Sequence, residues 1–167
     1  MFLTAKAAAD VLAQTFRILH QAGATLLVGN LVVMPVWKVA ADRSRDPRVA
    51  RFAQRLVTLT TWFISAPAIL LILGSGFGSS LAAGLPPFAD GWLRLGEILF
   101  ACFGLVWLLL LVPLQIRQGR LARSLAEGRA IPEPYRRLGR RWLAWLLVSL
   151  MPLLGAYAAM LGRAPIH

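Results

Sequence analysis

The chain holds a single cysteine, Cys102, set inside an apolar run. It can form no intramolecular disulfide, no CxxC redox pair and no cysteine zinc cluster. Histidine is almost as scarce. There are only His20 and the C-terminal His167, so nitrogen and sulfur ligands nowhere stand at metal-site spacing and no metal centre is expected. No CxxCH occurs, which excludes covalent haem attachment. Acidic residues number 7 against 18 Lys plus Arg, and no Ser-His-Asp set or carboxylate pair stands out. The glycines of 74–91 lack the GxxxxGK[ST] pattern of a phosphate loop. Nor does the chain open on a basic leader, an apolar core of about 7–15 residues and a small-residue cleavage site; its first apolar run is too long, and is expected to be retained.

What is present is apolar sequence. Of 167 residues 58% are hydrophobic, above the ~45–50% of soluble domains, and mean hydropathy is +0.66. Crossing ~30 Å of hydrocarbon takes about 20 residues, and four runs are long enough: 11–39, 52–74, 92–116 and 142–161. The predicted fold is all-α: one domain over 1–167, an integral membrane four-helix bundle. The 1–10 stretch reads as a tail or interfacial turn. Asp46-Pro47 reads as a turn or helix start. The stretch 74–91 reads as a helix-breaking external loop. Residues 117–131 can form a separate amphipathic helix, ended by Pro132 and Pro134. Pro35 and Pro113, each before a basic loop, suggest a faint parallel repeat of two hairpins.

The net charge of +11 is compatible with nucleic-acid binding in a soluble chain. Here the basic residues flank hydrophobic spans, so they report topology, and no nucleic-acid partner is expected. The connections at 38–51 and 117–141 are basic, the latter with eight arginines; the connection between the second and third spans carries only Asp90. Both basic loops are therefore expected in the cytoplasm and both termini outside, in a bacterial inner membrane. Trp92 and Phe88 suit the outer interface, Trp37 and Trp142 the inner one. The expected partners are the lipid bilayer, anionic head groups at the basic loops, and a second copy or a larger membrane complex.

An ionisable residue inside a span is costly and marks a functional candidate. Arg17 and His20, three apart, share a helix face. From helical rise, His20 lies roughly 13 Å below the outer surface. On the inward-running third span that depth falls near Cys102, and on the fourth near Met151. Arg17 comes level with Glu97. The register predicts an Arg17–Glu97 pair, or a polar pocket formed by Arg17, Glu97 and His20 with Arg94 and Asp90 at its mouth. Asn30 reads as an interhelical hydrogen bond. Gly23 and Gly29 read as points of close helix approach. His20 itself is a haem or metal ligand, a proton carrier or a strut; a haem needs only one or two axial ligands.

The segments LHQAGATLLVGNLVV (19–33) and WKVAADRSRDPRVARFAQRLV (37–57), continued by LILGSGFG (71–78) and YRRLGRRWL (135–143), resemble a family of predicted bacterial integral membrane proteins of unknown function, the DUF2269 family. The Leu-His-x-x-Ala/Gly pattern around His20 is also similar to two four-helix groups, the membrane-bound protoporphyrinogen oxidases and the copper-resistance D-type proteins. The oxidase resemblance implies that His20 binds haem b. The oxidases carry Asn-Glu-x-Pro at the start of their last helix; here that place reads Leu138-Gly139-Arg140-Arg141, so the resemblance implies haem binding more than oxidase activity.

Three functions follow. The first is haem b or porphyrin binding in a redox-linked role, with His20, Met151 and Arg17 around the cofactor and Glu97, Arg94, Cys102 and Asn30 as a polar pocket. The second is a non-enzymatic membrane subunit or assembly factor. The third is a transporter of small solutes or metal ions.

Overall fold

The computed structural model describes the backbone of residues 2–82, 84, 91–125 and 129–161, and their side chains except those of 2–6, 9, 92 and 161. The expectations placed on Phe88, Asp90 and the Trp92 side chain lie outside the described residues. All regular structure among the described residues is helical. It comprises α1 (Phe2–Arg43), α2 (Pro47–Thr60), α3 (Ala66–Ala82), α4 (Gly91–Val106), α5 (Val112–Arg123) and α6 (Glu133–Leu161). Single π turns, Thr61–Ser65 and Trp107–Leu111, join α2 to α3 and α4 to α5. Four helices are thus long and apolar enough to cross a membrane: Asp10–Arg43, Pro47–Ala82, Leu93–Arg123 and Glu133–Met160.

Every span outruns its expected bounds. A backbone in hydrocarbon has no water to bond, so the helix persists where a soluble segment would break. Helix α1 already begins at Phe2, and Pro35 lies inside it without ending it. Gly74, Gly76 and Gly78 lie within α3, not in a loop. At Gly23 an added Cβ would stand 3.0 Å from Ile72 Cγ1 and 3.1 Å from the Ala68 carbonyl oxygen, so the missing side chain is what lets α1 and α3 touch. Gly29 has open space around it and plays no such part. Residues Arg117 to Arg123 continue the third span as α5. Pro132 and Pro134 belong to the start of α6, where the Pro132 carbonyl accepts from the Tyr135 amide at 3.1 Å; the first turn is where a helix tolerates a missing amide hydrogen. Asp46 caps α2 as expected, its carboxylate accepting from the Arg48 amide at 2.7 Å, with Pro47 next.

The π turns follow from proline. A helix proline has no N–H to give the carbonyl four residues back, and its ring crowds that carbonyl. For Pro67 and Pro113 those carbonyls belong to Phe63 and Leu109, the middle residues of the two π turns. The helix opens to i→i−5 bonds there, Ala66 N–H to Thr61 and Val112 N–H to Trp107. The matching irregularities thus fall on the second and third spans, and the proline echo of spans one and three has no structural counterpart.

Packing differs between the two ends. At the arginine-rich end α1, α2, α5 and α6 form a closed ring of neighbours. At the opposite end the spans pair off, α1 with α3 and α4 with α6, and the backbones of α1 and α3 do not approach that of α4. The main core runs along the bundle through Leu27, Leu31, Phe103, Leu146 and Leu153; Trp142, expected at the interface, is buried in it. A second small cluster under the basic end gathers Ala50, Ala122, Leu125, Ile131 and Tyr135.

Candidate functional site: a buried polar spine

Between lipid-facing surfaces, hydrophobic association gives helices no reason to prefer one another. Close packing and interhelical hydrogen bonds must hold them. The structure provides a continuous set of such bonds. Asn30, on α1, donates from Nδ2 to Ser65 Oγ (2.8 Å) and to the Thr60 carbonyl (3.3 Å) at the first π turn. Thr61 Oγ1 lies 3.1 Å from Gln115 Oε1 and 2.8 Å from its own helix's Val57 carbonyl. Gln115 Nε2 donates to the Val57 carbonyl (3.4 Å), and Gln54 Nε2 returns a bond to the Gln115 carbonyl (3.4 Å).

The spine ends in a charge pair. Lys38 is 2% exposed. Its ammonium donates to Asp42 Oδ2 at 2.5 Å and to the Tyr135 hydroxyl at 3.0 Å, and lies 4.8 Å from the Tyr135 ring centroid. In the amide orientation that satisfies both of its ends, Gln118 donates to Gln54 Oε1 (3.2 Å) and accepts from Lys38 Nζ (3.3 Å) and the Gly139 amide (3.3 Å). All three ammonium hydrogens then have acceptors, the condition for keeping a buried cation at acceptable cost. Tyr135 has no exposed surface, and its hydroxyl has Asp42 Oδ1 and the Ala50 carbonyl as acceptors, each at 3.3 Å. From Asn30 to Asp42 the spine covers about 18 Å along α1 and draws on all four spans.

Asn30 was legible as an interhelical bond, and is one. Lys38, which reads as a loop residue, and Gln54, Gln115, Gln118 and Tyr135 complete the spine. The available signal was spacing: Lys38/Asp42 four apart and Gln115/Gln118 three apart each share one helix face.

The other expected site residues do not converge. His20 Nδ1 lies 3.0 Å from the Ile72 carbonyl oxygen; a carbonyl only accepts, so Nδ1 is the donor. Gly76 faces the ring, where an added Cβ would stand 3.3 Å from Nδ1. His20 thus sits against α3, not beside Cys102 and Met151. Cys102 is exposed, and Met151, 75% exposed, points away from the bundle. Arg17 is exposed on α1, whose backbone does not approach that of α4, the helix of Arg94 and Glu97. The Arg17–Glu97 pair and the pocket between the first and third spans are not formed, because these spans stand diagonally at that level. Among the described residues no three His, Cys, Asp or Glu side chains gather as a metal site would require.

Four long apolar helices with a polar interior define an integral membrane protein. The chain belongs to the DUF2269 family of predicted integral membrane proteins, whose family model matches residues 14–163. No curated protein and no solved structure matches it.

Proposed function

We propose that this protein is a non-enzymatic subunit or assembly factor of the bacterial inner membrane, with both termini outside and the basic end in the cytoplasm. The observation that carries this reading is the polar spine. Asn30, Lys38, Gln54, Thr61, Gln115, Gln118 and Tyr135 bond to one another or to backbone carbonyls, so the most polar part of the interior serves to fix four spans in register. What remains for a partner is the outside: long apolar faces and eight arginines between Arg117 and Arg141. The partner is a second copy or another membrane protein with an acidic cytoplasmic segment. Cross-linking of the full chain in native membranes tests this. A defined cross-linked species is expected, and it should weaken when exposed Arg137 and Arg141 are changed to Glu while the melting temperature holds. A chain that remains monomeric in membranes would overturn the proposal.

A second reading rests on His20. With Nδ1–H engaged by the Ile72 carbonyl, Nε2 keeps the lone pair, the arrangement in which histidines bind metals. His20 would hold haem b as its single protein ligand, Met151 being turned outward, and the haem would supply one-electron chemistry.

A further inference from the structure

A groove of about 310 Å³ opens between the second and third spans, on the outside of the bundle. Its walls are Thr58, Thr61, Trp62, Val112, Ile116 and Gly119, and Arg120 and Arg123 close its basic end. Gly119 lies across from Thr58, and even an added Cβ would reach only ordinary contact, 4.0 Å from Thr58 Oγ1. The two arginines, three residues apart, share the groove's face, and both are exposed. Neither is matched by a carboxylate among the described residues. Thr61 and Trp62 of the first π turn line the groove, and Val112 follows directly on the second; such turns recur at functional sites. Trp62, Val112 and Ile116 offer apolar surface to a chain lying parallel to the helices. At the level where the spans leave the hydrocarbon, the arginines offer donors matched to a phosphodiester.

We propose that this groove binds one anionic phospholipid of the bilayer, its phosphate at Arg120 and Arg123 and an acyl chain along Trp62 and Ile116. The charge complementarity selects an anionic over a zwitterionic head group. The apolar wall selects a lipid over a free phosphate.

Native mass spectrometry of the full chain, titrated with phosphatidylglycerol or phosphatidylcholine, tests the site. Phosphatidylglycerol is expected to be retained about thirtyfold better, the equivalent of ~2 kcal/mol from two arginines beside an anionic lipid. Arg120→Gln with Arg123→Gln should abolish the preference. Gly119→Leu should block retention. Arg137→Gln with Arg141→Gln should change neither. Retention undisturbed by the first two variants, or lost equally with the last, would overturn the assignment. Should a groove variant fail to fold, a photoreactive acyl-chain phosphatidylglycerol and wild-type protein decide the matter. Cross-links at Trp62 and Ile116 are expected, and cross-links confined to other faces would refute the site. Competition by glycerol phosphate alone would show an anion site without a lipid wall, and would also refute it.

Discussion

Lys38 and Tyr135 stand 97 positions apart in sequence and 3.0 Å apart in space. The contact ties the end of the first span to the beginning of the fourth, and Asp42 completes it from one turn further along α1. Tyr135 also reaches the Ala50 carbonyl at the start of the second span. One buried ammonium and one buried phenol therefore fix three spans at the basic end.

Removing one member of a buried charged pair leaves its partner desolvated, at a cost of about 3–5 kcal/mol. Asp42 keeps 26% of its side-chain surface exposed, so Asp42→Asn should cost less, about 1–3 kcal/mol. Lys38→Met combined with Asp42→Asn should be less damaging than the two single costs added. Unfolding in detergent micelles measures all three; strict additivity would show that the pair is not coupled.

Asn30 and Ser65 should also be coupled. Interhelical hydrogen bonds in membranes contribute about 0.6 kcal/mol, up to ~1.7. A double-mutant cycle with Asn30→Ala and Ser65→Ala is expected to return a coupling in that range. A coupling of zero would remove the upper end of the spine.

Gly23 and Gly29 make a matched pair. Gly23→Ala should force α1 from α3 and cost about 1–3 kcal/mol, as overpacking does. Gly29→Ala meets nothing within 4 Å and should be neutral or stabilising, since alanine favours helix over glycine by about 1 kcal/mol. Equal melting temperatures for the two variants would contradict the packing of α1 on α3.

Orientation is checked by labelling. With Cys102 replaced by serine, single cysteines at the exposed positions Ser44 and Ser124 should resist an impermeant reagent in intact cells and react after lysis. Labelling in intact cells would reverse the assignment of the basic end to the cytoplasm.

The four spans were plain in the sequence because each apolar run exceeds what a soluble core helix needs. The Asp46-Pro47 start and the Asn30 bond were plain for local reasons, a cap and a lone amide in hydrocarbon. Depth, however, does not identify neighbours. Arg17 and Glu97 share a level but stand on diagonal spans, and only the packing of α1 on α3 and of α4 on α6 reveals it. The glycines of 74–78 carry the signal of a break in water; in an apolar setting the helix runs through them, and Gly76 and Gly78 serve as packing notches for His20 and Phe16. Lys38 and Gln118 fell in the basic connections, and Gln54 at the start of an apolar run; their burial came from the closed ring of helices, which no single run encodes. The π turns were visible only as prolines, since their mates, Phe63 and Leu109, have no distinctive chemistry.

The most direct test of the scaffold reading concerns His20. Wild-type protein and His20→Ala, both purified gently from haem-replete cells, should be compared by visible absorption and thermal melting. The account predicts no Soret band in either sample and a lower melting temperature for His20→Ala, because the bond to the Ile72 carbonyl is lost. A stoichiometric Soret band in the wild type that vanishes in His20→Ala would contradict it and make His20 a haem ligand.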